Sequence, residues 1–216
     1  MPTDELPGSG GVFDEGSRAA RRRAGHFDRT RRPRMADATE LPVMPHRALA
    51  EAEVTMAQET LSAIIDGATG RGDVLSVAEQ AGVVAAKRTD ELIPLAHPAW
   101  LTQLQVSAVP DRASGSVKIR CETAAVSQLG VEMEALTAAA VAALTVYDMI
   151  REIEPGATVR SVRLVSSQAG GYDEWRRPDA PQEARRAPKG VRVAGRITHA
   201  PRGGQPFGLA VRKRNP

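Results

Sequence analysis

The stretch from Glu134 to Ile153, EALTAAAVAALTVYDMIREI, constrains the fold of this chain more than any other. From Ala135 to Tyr147 it carries no charged residue, and most of its side chains are small. A helix that is apolar around most of its circumference has to be buried on most sides. No apolar run in the chain reaches the roughly 18 residues that would span a bilayer, so this one is expected to be a core helix of a protein that works in the cytoplasm.

What it packs against follows from the neighbouring patterns. ALAEAEVTM (48–56) alternates small or apolar residues with acids and predicts a strand, while QETLSAIID (58–66) has helical spacing and stops at Gly67. Asp73 is placed to cap a helix through VLSVAEQAGVVAAKRTDEL (74–92), with Val74, Val77, Ala81, Val84 and Ala85 as its apolar stripe. LTQLQVSAVP and GSVKIRCETAAV, separated by DRAS, predict a β-hairpin, and VRSVRLVSS (159–167) a last strand. The order β-α-α-β-β-α-β predicts an α+β fold, a ferredoxin-like α/β sandwich whose antiparallel sheet is packed by helices.

The ends differ from this body. Residues 1–34 hold 8 Arg against 5 acids, and residues 176–216 hold 9 Arg and 2 Lys against 2 acids. The whole chain is +3, so residues 35–175 carry a net −9. We therefore expect a disordered Arg-rich extension over 1–34, one folded domain over 35–175, and a basic Pro/Arg-rich tail over 176–216, in which VRVAGRITHA (191–200) has the pattern of a short strand. An acidic body with 3% aromatic residues lacks the stacking platforms of single-strand binders, so a nucleic-acid partner is not expected. Cys121 is the single cysteine and can form no internal disulfide, which fits a reducing compartment.

Four segments place polar groups beside apolar or stiffened positions. AAKRT ends the second helix with Lys87 and Arg88, where favourable placement of cations at a helix C-terminus is the plainer explanation. LIPLAHP holds His97 between Pro94 and Pro98, which suits a fixed contact as well as a merely solvated loop. GVEMEALTA sets Glu132 and Glu134 near the start of the core helix, where carboxylates suit the positive end of the dipole; Met133 lies between them. VYDMIRE puts Asp148 and Arg151 one turn apart among Leu144, Val146, Met149, Ile150 and Ile153, where a buried acid needs a partner. No GxGxxG, GxxxxGK[ST], CxxC or HExxH occurs, so neither a cofactor nor a metal is expected.

Taken together, GRGDVLSVAEQAGVVAAKRTDELIPLAHP and the later GVEMEALTAAAVAALTVYDM resemble the cyclic pyranopterin monophosphate synthase (MoaC) family of molybdenum cofactor biosynthesis, over roughly residues 35–171. The resemblance implies a lyase that converts cyclic dihydroguanosine triphosphate, (8S)-3',8-cyclo-7,8-dihydroguanosine 5'-triphosphate, to cyclic pyranopterin monophosphate with release of diphosphate. It also implies a homohexamer, a trimer of dimers, with the active site at a subunit interface. Carried over residue by residue, Asp148 matches the family's catalytic aspartate and Lys87 an active-site lysine, with Arg71 and Arg151 standing at two further catalytic positions. Leu95, Ala96 and His97 match one substrate-binding segment, Met133 and Glu134 the second, and Glu132 belongs to the same cleft.

The chain departs from the family pattern at five lysines. Arg71 and Arg151 replace two of them, and Leu41, Gln128 and Ser167 stand where the other three are expected; Ala96 stands in place of a cysteine. Arginine keeps the charge and binds phosphate bidentately, but it stays protonated at neutral pH and is a poor proton donor or acceptor. Proton transfer would then fall to Lys87 and Asp148. The departures leave two alternatives open: a diverged paralogue acting on a related purine or pterin phosphate, and a non-catalytic partner of a sister synthase.

Overall fold

A computed structural model describes His26, residues 30–172 and residues 174–179. The expected strand at 191–200 and most of the two basic ends lie outside the described residues.

Five strands form one sheet in the order β2-β3-β1-β4-β5: β1 (Met44–Thr55), β2 (Leu101–Asp111), β3 (Ser116–Ser127), β4 (Thr158–Ala169) and the short β5 (Trp175–Arg176). Every neighbouring pair is antiparallel. β3 lies between β1 and β2, the split β-α-β arrangement of a ferredoxin-like fold. The helices are α1 (Gln58–Ile65), α2 (Val74–Ala86), the single turn α3 (Thr89–Leu92) and α4 (Glu132–Ile150).

Small residues set the spacing of the layers. On β1, Ala48, Ala50, Ala52 and Val54 are buried in the same core as Ala135, Ala138, Ala139, Ala142 and Ala143 of α4. Gly82 of α2 sits at the helix crossing: a Cβ there would come within 3.0 Å of Val106 Cγ1 and 3.1 Å of the Ala138 carbonyl oxygen. Because α4 packs against both α2 and the sheet, it is the core helix, although its length and hydropathy alone would also suit a membrane span. The apolar stretch is thus long enough to cross a bilayer, contrary to the expectation from run length, and its packing marks it as a core helix.

The structure corrects two further expectations. The second helix does not run to Leu92. It stops at Ala86, where the last turn tightens: Arg88 N–H donates to the Ala85 carbonyl at 3.1 Å, and the Thr89 hydroxyl donates to the carbonyls of Ala85 (3.3 Å) and Ala86 (3.1 Å). Its inward face is Val74, Ala78, Gly82, Ala85 and Ala86, while Val77 and Val84 are exposed. On α4 likewise, Val146, Met149 and Ile150 are buried but Leu144, and Ile153 just beyond the helix, are exposed. Where α2 and α4 approach most closely, at Gly82, Ala138 and Ala142, the smallest side chains face each other.

Candidate functional site

The loop between α3 and β2 is shaped by its prolines and by a turn in which Ala96 N–H donates to the Ile93 carbonyl at 2.9 Å. It carries Leu95, Ala96 and His97 to the mouth of a cleft of about 570 Å³, whose opposite wall is the first turn of α4 with Glu132, Met133 and Glu134. All six residues expected to bind substrate therefore line one cavity. Trp100 and His26 also line it, and neither stood out in the sequence. Gln128 closes the far side: its carboxamide nitrogen donates to the carbonyls of Thr39 (3.3 Å) and Leu41 (3.2 Å), tying the segment before β1 to the rim.

Glu132 and Glu134 are held differently. The Ser167 hydroxyl donates to Glu132 Oε1, and the Glu132 carboxylate folds back over Gly130, where any Cβ would collide with it. Glu134 is only 4% exposed, and its Oε2 has no hydrogen-bond partner among the described residues. Burial first, then the carboxylates of Glu132 and Asp90, push its pKa above the usual carboxyl value, while its own backbone N–H opposes the shift.

The sign of this shift gives a pH dependence. A carboxyl whose folded pKa is raised contributes most to stability when protonated, below its ordinary value of 4.5, and loses that contribution as pH rises through the folded value. Glu134→Gln is expected to raise the Tm relative to the parent at about pH 8 and to bring little gain at about pH 4. A scan showing the same gain at both would rule out Glu134 ionisation as its source.

The remaining site residues lie elsewhere. Asp148 and Arg151 sit at the C-terminal end of α4, where Arg151 Nε donates to Asp148 Oδ1 at 2.9 Å with side chains 53% and 63% exposed. The expected buried acid is thus an exposed i, i+3 pair, because Val146, Met149 and Ile150 take the inward face and turn 148 and 151 outward. Arg71 joins this end, its guanidinium donating to Glu152 just past the helix. Fourteen residues of α4 separate Glu134 from Asp148, about 21 Å. Since Arg71 precedes α2 and pairs beyond the end of α4, while Gly82 packs on Ala138 and Ala142, α2 runs antiparallel to α4. Lys87 at the C-terminus of α2 therefore points towards the cleft end of α4, exposed and outside the cleft lining.

Cys121 is fully buried on β3, and desolvation pushes its thiol up to about 12, which removes it as a nucleophile.

One chain thus divides its candidate residues between the two ends of α4: a binding cleft with acids at one end, and an aspartate with two arginines at the other. The MoaC family model matches residues 35–171. The cyclic pyranopterin monophosphate synthase of Thermomicrobium roseum is 44% identical over 162 residues, which cover 75% of this chain and 96% of that protein. The synthase of Chloroflexus aurantiacus is 42% identical over 153 residues, covering 71% and 94% respectively.

Proposed function

Because this chain belongs to the MoaC family, we propose that it is a lyase of molybdenum cofactor biosynthesis, converting cyclic dihydroguanosine triphosphate to cyclic pyranopterin monophosphate and diphosphate at a site completed by two copies of the chain.

The observation that carries this reading is the separation of about 21 Å between Glu134 and Asp148 along one rigid helix. A substrate held by the cleft of one chain is beyond reach of that chain's own Asp148, and a second copy presenting the other end of its α4 supplies the missing half. A two-fold interface between copies makes two such sites at once. A trimer of such dimers is the assembly this reading implies.

Within a completed site the roles follow from chemistry. The carboxyl groups of Glu132 and Glu134 suit the N–H donor edge of a guanine-derived ring, with Leu95, Ala96, His97 and Met133 enclosing it. Arg71 and Arg151 of the second copy offer planar, permanently charged forks for the triphosphate. Asp148 is the proton acceptor for ring rearrangement, and Lys87, the one lysine among these candidates, is the proton donor. Diphosphate leaves from the arginine end.

A second reading, a paralogue acting on a related purine or pterin phosphate, draws on two side chains. Gln128 is occupied with the Thr39 and Leu41 carbonyls, and Ser167 with Glu132, so the cleft end gains no cation from either. Incubating the purified protein with the cyclic triphosphate and following diphosphate release separates the two. Release together with formation of the pterin monophosphate is expected. Tight substrate binding without release would overturn the synthase reading in favour of the paralogue.

A further inference from the structure

We propose that Glu152 is a built-in competitor for the phosphate group that Arg71 binds, lowering the affinity of this end of the site for diphosphate and so speeding its release. The inference rests on the proposed phosphate-binding role of Arg71. The geometry is that of a substitution: the Glu152 carboxylate accepts from Arg71 Nη2, where a phosphate oxygen would otherwise be held.

The pair is not needed to shape either partner's backbone. The Arg71 loop is held by Thr69, whose hydroxyl accepts from Arg71 N–H and donates to the Gly72 carbonyl, both at 3.4 Å. Gly70 and Gly72 supply its left-handed turns, and Asp73 caps α2 through Ser76 N–H at 3.0 Å. On the other side, Ile153 N–H and Glu154 N–H both donate to the Ile150 carbonyl, at 2.8 and 2.9 Å, which fixes the turn beyond α4 without the Glu152 side chain. Glu154 is committed elsewhere, its carboxylate accepting from Ala57 N–H at the start of α1.

The pair is also exchangeable. Arg71 and Glu152 are 35% and 66% exposed, so each can be released to water at small cost. With Arg151 already facing Asp148, each of the two guanidinium groups at this end of the helix is matched by a carboxylate until an anion arrives. A multiply charged phosphate outcompetes Glu152 for the arginine fork, and Glu152 takes the fork back when diphosphate departs.

Calorimetric titration with inorganic diphosphate tests this on the full-length protein. Glu152→Gln removes both the competing acceptor and the repulsion of its charge, so diphosphate is expected to bind about five- to tenfold tighter than to the parent. It should inhibit turnover at a correspondingly lower concentration. The gain should vanish when Arg71→Gln is combined with Glu152→Gln, and Glu59→Gln, an exposed change in the first turn of α1, should leave binding at the parental value. Unchanged affinity in Glu152→Gln, a gain that survives loss of Arg71, an equal gain in Glu59→Gln, or no diphosphate binding by any variant would each overturn the proposal. A protein showing the expected shift but releasing no diphosphate from the cyclic triphosphate keeps this inference and loses the synthase reading; an active synthase without the shift loses the inference alone.

Discussion

Co-expressing an Asp148→Asn chain with a Glu134→Ala chain is expected to restore about a quarter of parental turnover, if copies pair at random across a two-fold interface. Each variant alone should fall by at least about a hundredfold, one through loss of the proton acceptor and the other through loss of substrate positioning. Half of the random pairs are mixed. In a mixed pair the intact cleft of the Asp148→Asn chain meets the intact Asp148 of the Glu134→Ala chain, while the second site carries both changes. The expectation depends on Glu134 and Asp148 occupying opposite ends of α4 and not on any detail of the interface. Steady-state diphosphate release by the co-purified mixture is the measurement. If every site were contained in a single chain, mixing two inactive variants would restore nothing.

Gly82→Leu is expected to lower unfolding stability by about 3 kcal/mol, with a matching drop in urea midpoint. Gly82 is where α2, α4 and β2 converge, and even a Cβ would stand 3.0 Å from Val106 Cγ1, 3.1 Å from the Ala138 carbonyl oxygen and 3.3 Å from Ala142 Cβ. Leucine has no open direction there. The backbone oxygen cannot rotate away as a side chain would, so the helices must separate and dispersion contacts along the small-residue seam are lost. Gly82→Ala separates two opposing effects, because alanine favours the helix by about 1 kcal/mol over glycine while its Cβ presses on the same atoms. A leucine variant as stable as the parent would show that α2 and α4 are not packed this closely.

Both expectations draw on features that are unevenly visible in the sequence. Asp73 as a helix cap, Gly67 after the first helix, the DRAS hairpin and the buried character of Ala135–Tyr147 are all local signals, and the structure places the corresponding elements where those signals put them. AAKRTDEL continues a helical pattern past Ala86, whereas in the structure the turn tightens at Arg88 and the helix ends. Helical spacing puts Val77, Val84, Leu144 and Ile153 with the apolar positions, yet all four are exposed. The packed face of α2 is the one bearing glycine and alanine, while α4 buries its alanines together with Val146, Met149 and Ile150.

The candidate site shows the same division. LIPLAHP and GVEMEALTA are distinctive as strings, and their residues meet in one cleft. That Asp148 and Arg71 stand apart from them has no local signature. Nor does the pairing of Arg71 with Glu152 across 81 residues, although Glu152 lies within VYDMIRE itself.

Taken alone, the sequence determined the kinds and order of the elements apart from the short α3 and β5, the small-residue core helix and the residues with chemistry to offer, because capping, turn formation and hydrophobic period act over a few residues. The tertiary structure decided that α2 runs against α4, that the acids of the cleft and the aspartate of the far end are held about 21 Å apart, and that each arginine faces a carboxylate. These depend on how rigid helices lie across a sheet, and that arrangement is set by the packing of many side chains at once.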